Sequence, residues 1–189
     1  VLRLSLPLSM SHRVNFWAAV AVVELLRDFY GVEAQVKWPN DVLVEDRKIC
    51  GILSEIEAEG ERLTFLNVGL GINLNNRPSE FEATAISLQQ IVGKPVSRKA
   101  FLQRFLDVFE RGLERGELDR VLPKWRRCSA TLNRQVRVVT TREVFEGRAV
   151  DVDEDGALIL RSADGTLNKI IYGDCFFDRG AGEASAMPA

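Results

Sequence analysis

Apolar and polar residues alternate from the first positions of the chain: Leu2, Leu4, Leu6 and Leu8 are interleaved with Arg3, Ser5 and Pro7. That period of two predicts a half-buried strand, and a strand so near the first residue suggests that earlier elements are missing. The pattern then changes. NFWAAVAVVELLRDFYG is apolar around most of a helical circumference and ends at Gly31, which predicts a core helix covered on several sides and closed by a left-handed glycine. VKWPNDVLVEDRKICGIL, Val36 to Leu53, reads as two strand-like runs with a hairpin turn at Asp46 and Arg47, and RLTFLNVGLGIN as a further strand. Continuous apolar runs of this kind suit the centre of a sheet. Asn73 to Pro78 predict a polar loop, Thr84 to Val92 a short helix, and Ser97 to about Arg115 a longer one. Phe101, Phe105, Phe109 and Leu113 recur at intervals of four in this last segment, one stripe against a core.

After Trp125 the chain turns to short alternating runs, QVRVVT, VFEGRAVDV, GALILRS and TLNKIIY, separated by polar or glycine-bearing turns such as Asp155-Gly156. These predict a small all-β module. The final residues, ending GAGEASAMPA, are small and polar and are expected to be disordered. There is no internal repeat. The expected organisation is α+β, with a first domain over 1–127, a β domain over 134–178 and a tail over 179–189.

Composition narrows the chemistry. The 189 residues carry 25 lysines and arginines against 27 acids, a formal net charge of -2, so no global field draws the chain to nucleic acid or an anionic membrane. Cys50, Cys128 and Cys175 are odd in number and lack CxxC spacing, which speaks against a disulfide framework or a zinc cluster and for a reducing cytoplasm. His12 is the only histidine; HExxH chemistry and most catalytic triads are thereby removed, and His12 itself reads as a loop residue. The apolar run from Phe16 to Val23 is broken by Glu24 and is too short to cross a bilayer, and nothing resembling a signal peptide precedes it.

The residues that invite chemistry lie at KWPND. On a strand, Val36 and Trp38 point one way and Lys37 the other; Pro39 ends the strand; Asn40 and Asp41 are turn formers. The result is a cation at a strand end beside an amide and a carboxylate, with Lys48 downstream, a group suited to an anionic small molecule. Alternatively, Lys37 is an edge residue before a turn. Gly51 follows Cys50 in a strand, where glycine usually marks the close approach of a ligand or another backbone. In VGLGINLNN the GxG pair lacks the third glycine and the helix of a dinucleotide fingerprint.

KWPND followed by KICGIL and VGLGINLNN resembles the biotin protein ligase family, and the order and spacing of elements agree up to about Asp178. The resemblance implies a mixed sheet packed by helices, followed by an SH3-like β-barrel domain. It implies a two-step reaction: biotin is activated by ATP, with Mg2+, to biotinyl-5′-AMP, and the biotinyl group then passes to a lysine of a biotin carboxyl carrier protein domain. Like charges about 4 Å apart repel by roughly 4 kcal/mol at an effective dielectric of about 20, so a carboxylate meeting a polyphosphate needs a cation between them. By resemblance that cation is Lys37.

The same resemblance places Trp38, Asn40, Asp41, Lys48, Gly51, Asn73 and Asn75 around biotin and the nucleotide, with no resident metal ligand. Each has a plainer alternative: Trp38 as core, Asp41 as turn closure, Lys48 as a cross-strand partner of Glu45, Asn73 and Asn75 as loop ties, Cys50 as a small buried residue. Partners expected are the carrier domain, with neither nucleic acid nor membrane, and pairing with a second copy is left open. The chain departs from the family in having no glycine before Gly31, hence no GRGRxGRxW segment, and no N-terminal helix-turn-helix, which implies that these residues alone lack part of the pocket. Two other readings stand: a non-catalytic docking or dimerisation relative, and a lipoate or octanoate ligase.

Overall fold

The computed structural model describes residues 7–78 and 84–178. The strand expected at the start and the expected disordered tail lie, apart from residues 7–8 and 178, outside the described residues, and Leu8–Met10 form a single 3-10 turn. The first long element is helix α1, Ser11–Tyr30, closed by Gly31 at φ 65°. It begins four residues before the apolar run, so His12 sits in its first turn rather than in a loop. Twelve residues of α1 are buried, from Ser11 to Leu26, which is why its sequence is apolar on nearly every side.

Four strands follow, β1 (Gln35–Lys37), β2 (Asp41–Val44), β3 (Arg47–Glu59) and β4 (Arg62–Ile72). They pair in sequence order, every neighbour antiparallel. The mixed sheet implied by resemblance is therefore antiparallel among the described residues, with parallel geometry only in isolated bridges at Val36–Ser129 and Lys48–Ala85. Among the described residues the predicted central strand, β4, ends the order and is half-exposed along much of its length. The hairpin turn also moves by one residue. Glu45 and Asp46, both at positive φ, make the two-residue turn, and Val44 pairs with Arg47. Left-handed geometry at both central residues is what a tight hairpin of this hand requires, and Asp tolerates it better than Arg.

Beyond β4 the chain forms α2 (Leu88–Val92), α3 (Arg98–Glu114), a 3-10 turn at Glu117–Arg120 and α4 (Val121–Arg127). Helix α2 starts four residues later than predicted. Ser87 caps it in a capping box with Gln90, and the preceding residues join β3 instead: Lys48 N–H donates to Thr84 O at 2.7 Å and Ile86 N–H to Lys48 O at 2.9 Å. The phenylalanine stripe of α3 is buried as expected at Phe101, Phe105 and Phe109. Helix α4 was not anticipated from the pattern.

The C-terminal sheet comprises β5 (Gln135–Val139), β6 (Val144–Val152), β7 (Leu158–Arg161), β8 (Leu167–Ile170) and β9 (Asp174–Phe177), in the order β8-β7-β6-β5-β9, all antiparallel. The first four match the predicted runs; β9 adds a fifth, and no pairing between β8 and β9 closes the barrel among the described residues. A single buried cluster runs from α1 and the first sheet into Val136, Val138, Leu158 and Cys175 of the second. Polar ties reinforce it: Trp38 Nε1–H donates to Gly156 O at 3.1 Å, and Arg134 forms a paired hydrogen bond with Asp46 at 2.8 and 2.9 Å. No described helix is long and apolar enough to cross a membrane.

Gly112 of α3 lies directly against the Trp17 ring. A Cβ there would collide with Trp17 Cζ2, and Trp17 is held by its Nε1–H bond to Phe109 O at 3.0 Å. Helix propensity favours alanine over glycine by about 1 kcal/mol, but overpacking a core costs about 1–3 kcal/mol and the contact leaves no slack. Gly112→Ala is expected to lower the urea midpoint at unchanged slope; a midpoint that rises would show that propensity wins.

Candidate functional site

On the face of the first sheet away from α1, four strands contribute one residue each to a continuous row. Lys37 pairs with Asp41, Asp41 with Gly51, and Gly51 with Gly71. Directly opposed residues of antiparallel strands project from the same face, so two charged side chains stand beside two glycines. The flanking residues Val36, Trp38, Val42, Cys50 and Ile52 point into the core and are all 1% exposed or less. Two residues further along, Leu53 pairs with Gly69. Among the described residues a Cβ on Gly69 would touch only Leu53 O at 3.6 Å, and one on Gly71 only Gly51 O at 3.7 Å. At Gly51, Gly69 and Gly71 the described residues therefore leave this face as uncovered backbone, with the exposed Leu53 side chain beside it.

Strict alternation from Gly51 would send Lys48 to the opposite face. It does not, because β3 carries one extra residue there: Val42 pairs with Cys50 but Leu43 with Lys48, and Ile49 and Cys50 are both buried. The bulge re-aims the side chain. Lys48 Nζ reaches Asp41 Oδ1 at 2.8 Å, so the expected Glu45–Lys48 cross-strand pair is replaced; Glu45 binds Arg47 at 2.7 Å. Gly51 makes room for this pair, since a Cβ on it would lie 3.1 Å from Lys48 Cε and 3.3 Å from Lys48 Nζ.

Asp41 also faces Lys37, whose Nζ lies 3.9 Å from Oδ2, beyond hydrogen-bond range. One carboxylate thus stands between two ammonium groups. Lys48 takes the short contact, and the trio carries one surplus positive charge on the side of Lys37. A ring from the second sheet approaches the same ammonium: the centroid of Phe177 is 5.5 Å from Lys37 Nζ. These groups border a cavity of about 440 Å³ whose walls include Asn40, Asp41, Lys48, Gly51 and, from β9, Asp174, Cys175 and Phe176. The pattern of the sequence held no signal for the β9 contribution, because DCFF is short and not alternating.

The remaining predicted residues separate. Trp38 is fully buried, its backbone N–H bonded to Thr131 Oγ1 at 2.9 Å and its indole N–H to Gly156, so its ring packs in the core between the sheets while the residue also borders the cavity. Asn40 lines the cavity, and its carbonyl accepts from Ile52 N–H at 2.8 Å. Asn73 accepts from Asn76 Nδ2 at 2.8 Å, and its own amide points to Lys48 O. Asn75 is turned elsewhere: both ends of its amide clamp the backbone of Val96, each at 2.8 Å, beside a different cavity of about 700 Å³ between β4 and α3.

No nucleophile is poised here. Burial pushes the Cys50 thiol up to about 12 and the Cys175 thiol up to about 11, with the Asp41 charge adding to both, and burial likewise raises Cys128 to about 11. Among the described residues no three His, Cys, Asp or Glu side chains converge as a metal cage. An ammonium group beside glycine backbone is an arrangement suited to an anionic ligand.

Residues 4–73 match the model of the Biotin/lipoate A/B protein ligase family, and residues 131–178 that of the Biotin protein ligase C terminal domain. The chain is 32% identical to the Biotin--[acetyl-CoA-carboxylase] ligase of Paracoccus denitrificans over 165 residues, 81% of this chain and 68% of the relative. It is also 32% identical to the Bifunctional ligase/repressor BirA of Bacillus subtilis over 181 residues, 92% of this chain but only 55% of that protein, so it spans about half the length of such relatives. The biotin protein ligase from Aquifex aeolicus in complex with biotin and ATP superposes with a TM-score of 0.73 at 25% identity, over 89% of this chain and 72% of that one. The chain belongs to the biotin protein ligase family.

The raised thiols generate a direct test. At pH 8 the thiolate fraction at Cys128 and Cys175 is on the order of 10²-fold below that of a free cysteine, and lower still at Cys50. Labelling with a disulfide reagent is expected to be slow in the native protein and complete within seconds in urea. Rapid labelling of the folded protein would contradict the burial described.

Proposed function

We propose that this chain carries the adenylation centre of an ATP-dependent biotin protein ligase acting in a reducing cytoplasm. It forms biotinyl-5′-AMP and passes the biotinyl group to a lysine of a biotin carboxyl carrier protein. The observation that carries this reading is the row Lys37–Asp41–Gly51–Gly71, a surplus cation beside an open strip of sheet. The ligase relative from Paracoccus and the Aquifex neighbour bound to biotin and ATP support it. So does the match to the C-terminal domain of biotin ligases, in keeping with a division into a catalytic domain over 1–127 and a β domain over 134–178.

In the first step a carboxylate oxygen of biotin bonds to the α-phosphorus while the bond from that phosphorus to the β-bridging oxygen breaks, and the electron pair leaves on pyrophosphate. The protein has little covalent work to do; it must bring two anions together and hold them in line. Lys37 stands between carboxylate and phosphate and turns their repulsion into attraction to a shared charge. Asp41 is held by Lys48, which compensates its charge so that Lys37 remains available to the reactants. Gly51, Gly69 and Gly71 let the nucleotide lie on the backbone, and Asn40 and Asn73 supply amides at the edges of the strip. Magnesium enters with ATP, held chiefly by its phosphates and water. In the second step the neutral amine of the carrier lysine attacks the acyl carbon, AMP leaves with the acyl–oxygen electron pair, and the amine loses its proton.

Three measurements on the intact protein test the reading. Lys37→Ala is expected to lower the rate of adenylate formation by about 10²-fold or more with an unchanged circular dichroism spectrum; a normal rate would remove the bridging role. Gly71→Val, whose side chain would occupy the open space, is expected to raise the KM for ATP about tenfold or more without a lower melting temperature. An unchanged KM would place the nucleotide elsewhere. Calorimetric titration is expected to show biotin binding that excess lipoate does not displace, whereas displacement by lipoate would favour a lipoate ligase.

A further inference from the structure

Phe177 is touched by two cations from different parts of the fold. Lys37 Nζ, at the end of β1, lies 5.5 Å from its centroid, and Arg134 Cζ, just before β5, lies 4.3 Å from it. Both distances fall within the range where an aromatic face attracts a cation. The two cations differ in how they are compensated. Arg134 is locked by its paired hydrogen bonds to Asp46, the second residue of the β2–β3 turn, while the ion pair of Lys37 among the described residues is the 3.9 Å contact to a carboxylate already bound by Lys48. The ring is itself fixed: Phe177 pairs with Val136 across β5–β9 and packs against the buried cluster. A chain of contacts therefore runs from the hairpin turn through Asp46, Arg134 and Phe177 to Lys37, and links the end of the C-terminal sheet to the cation of the row.

We propose that Phe177 is a positioning residue, whose ring face holds the Lys37 ammonium at the mouth of the cavity so that adenylation depends on the last strand of the C-terminal sheet. The inference rests on the bridging role given to Lys37 above. A flexible four-carbon stem has many rotamers, and its contact with Asp41 is too long to select one. An attractive face about 5–6 Å away selects the rotamer without consuming a hydrogen-bond donor, so all three ammonium hydrogens remain for the reactants. A carboxylate in the same place would also hold the lysine, but it would cancel the charge that the reactants need.

The test uses the intact protein and single-turnover adenylate formation from biotin and MgATP. Phe177→Leu keeps an apolar side chain of similar bulk and removes the ring face; kcat is expected to fall about three- to thirtyfold with KM for both substrates within about twofold. Phe177→Tyr is expected to restore the rate. In a Lys37→Ala background Phe177→Leu is expected to have no further effect, because both act through one ammonium. A loss that appears only as a lower melting temperature, a tyrosine that fails to rescue, or an additive effect in the Lys37→Ala background would overturn the proposal. Should Lys37→Ala be inactive while Phe177→Leu is silent, the positioning role alone falls; should Lys37→Ala be fully active, the bridging role falls first and takes this one with it.

Discussion

One carboxylate stands between the two ammonium groups of the site. Asp41 lies 2.8 Å from Lys48 and 3.9 Å from Lys37, and two ammonium groups would repel each other across the same few ångströms if it were absent. Its position follows from β1 and β2 pairing tightly around the Trp38–Pro39–Asn40 turn, which brings Lys37 opposite Asp41. Lys37 and Asp41 on the row and Lys48 reaching it from the bulge sum to a single positive charge, and the asymmetry of the two distances puts that surplus on Lys37. The rest of the site is arranged around this imbalance.

The imbalance persists because the face beneath it cannot move. Val36, Trp38, Val42, Cys50 and Ile52 are buried against α1 and its neighbours, and a close-packed interior resists small displacements. Rigidity on one face permits emptiness on the other. Glycines at positions 51, 69 and 71 would weaken a strand that had to provide its own packing, but here the opposite face supplies the packing and the glycines leave an accessible strip of backbone. Electrostatic work at a surface depends on such preorganisation, since charges that must first rearrange contribute far less.

The second sheet is part of the same construction. Trp38, within the most distinctive motif of the chain, spends its indole N–H on Gly156, and Asp46 of the first hairpin is bound by Arg134. The Arg134 guanidinium holds the Asp46 carboxyl below the usual carboxylate range and is itself raised by it. This tie therefore stabilises the fold above the unfolded carboxyl's pKa and is lost as the pH falls through the lowered folded value. With β9 supplying Asp174, Cys175 and Phe176 to the cavity wall, the site is made at the meeting of two sheets rather than on one.

Local pattern was enough for much of this. The period of α1, the stripe of α3, the first four strands of the C-terminal sheet and the opposite facing of Lys37 and Trp38 all follow from side-chain direction along a regular backbone, and the KWPND motif contains the two charged members of the row, Lys37 and Asp41. Pairing itself was not legible. A hairpin turn displaced by one residue takes Lys48 out of register with Glu45, and the bulge at Ile49 that carries its ammonium to Asp41 has no signature in composition. Nor could periodicity show that Asn75 would clamp Val96 or that a four-residue strand near the end of the chain would bring Phe177 to Lys37. The chain by itself determined which residues lie along each element and which way they face. Only the tertiary structure decided which of them meet, because register and the docking of one sheet on another are set by contacts between residues far apart in sequence.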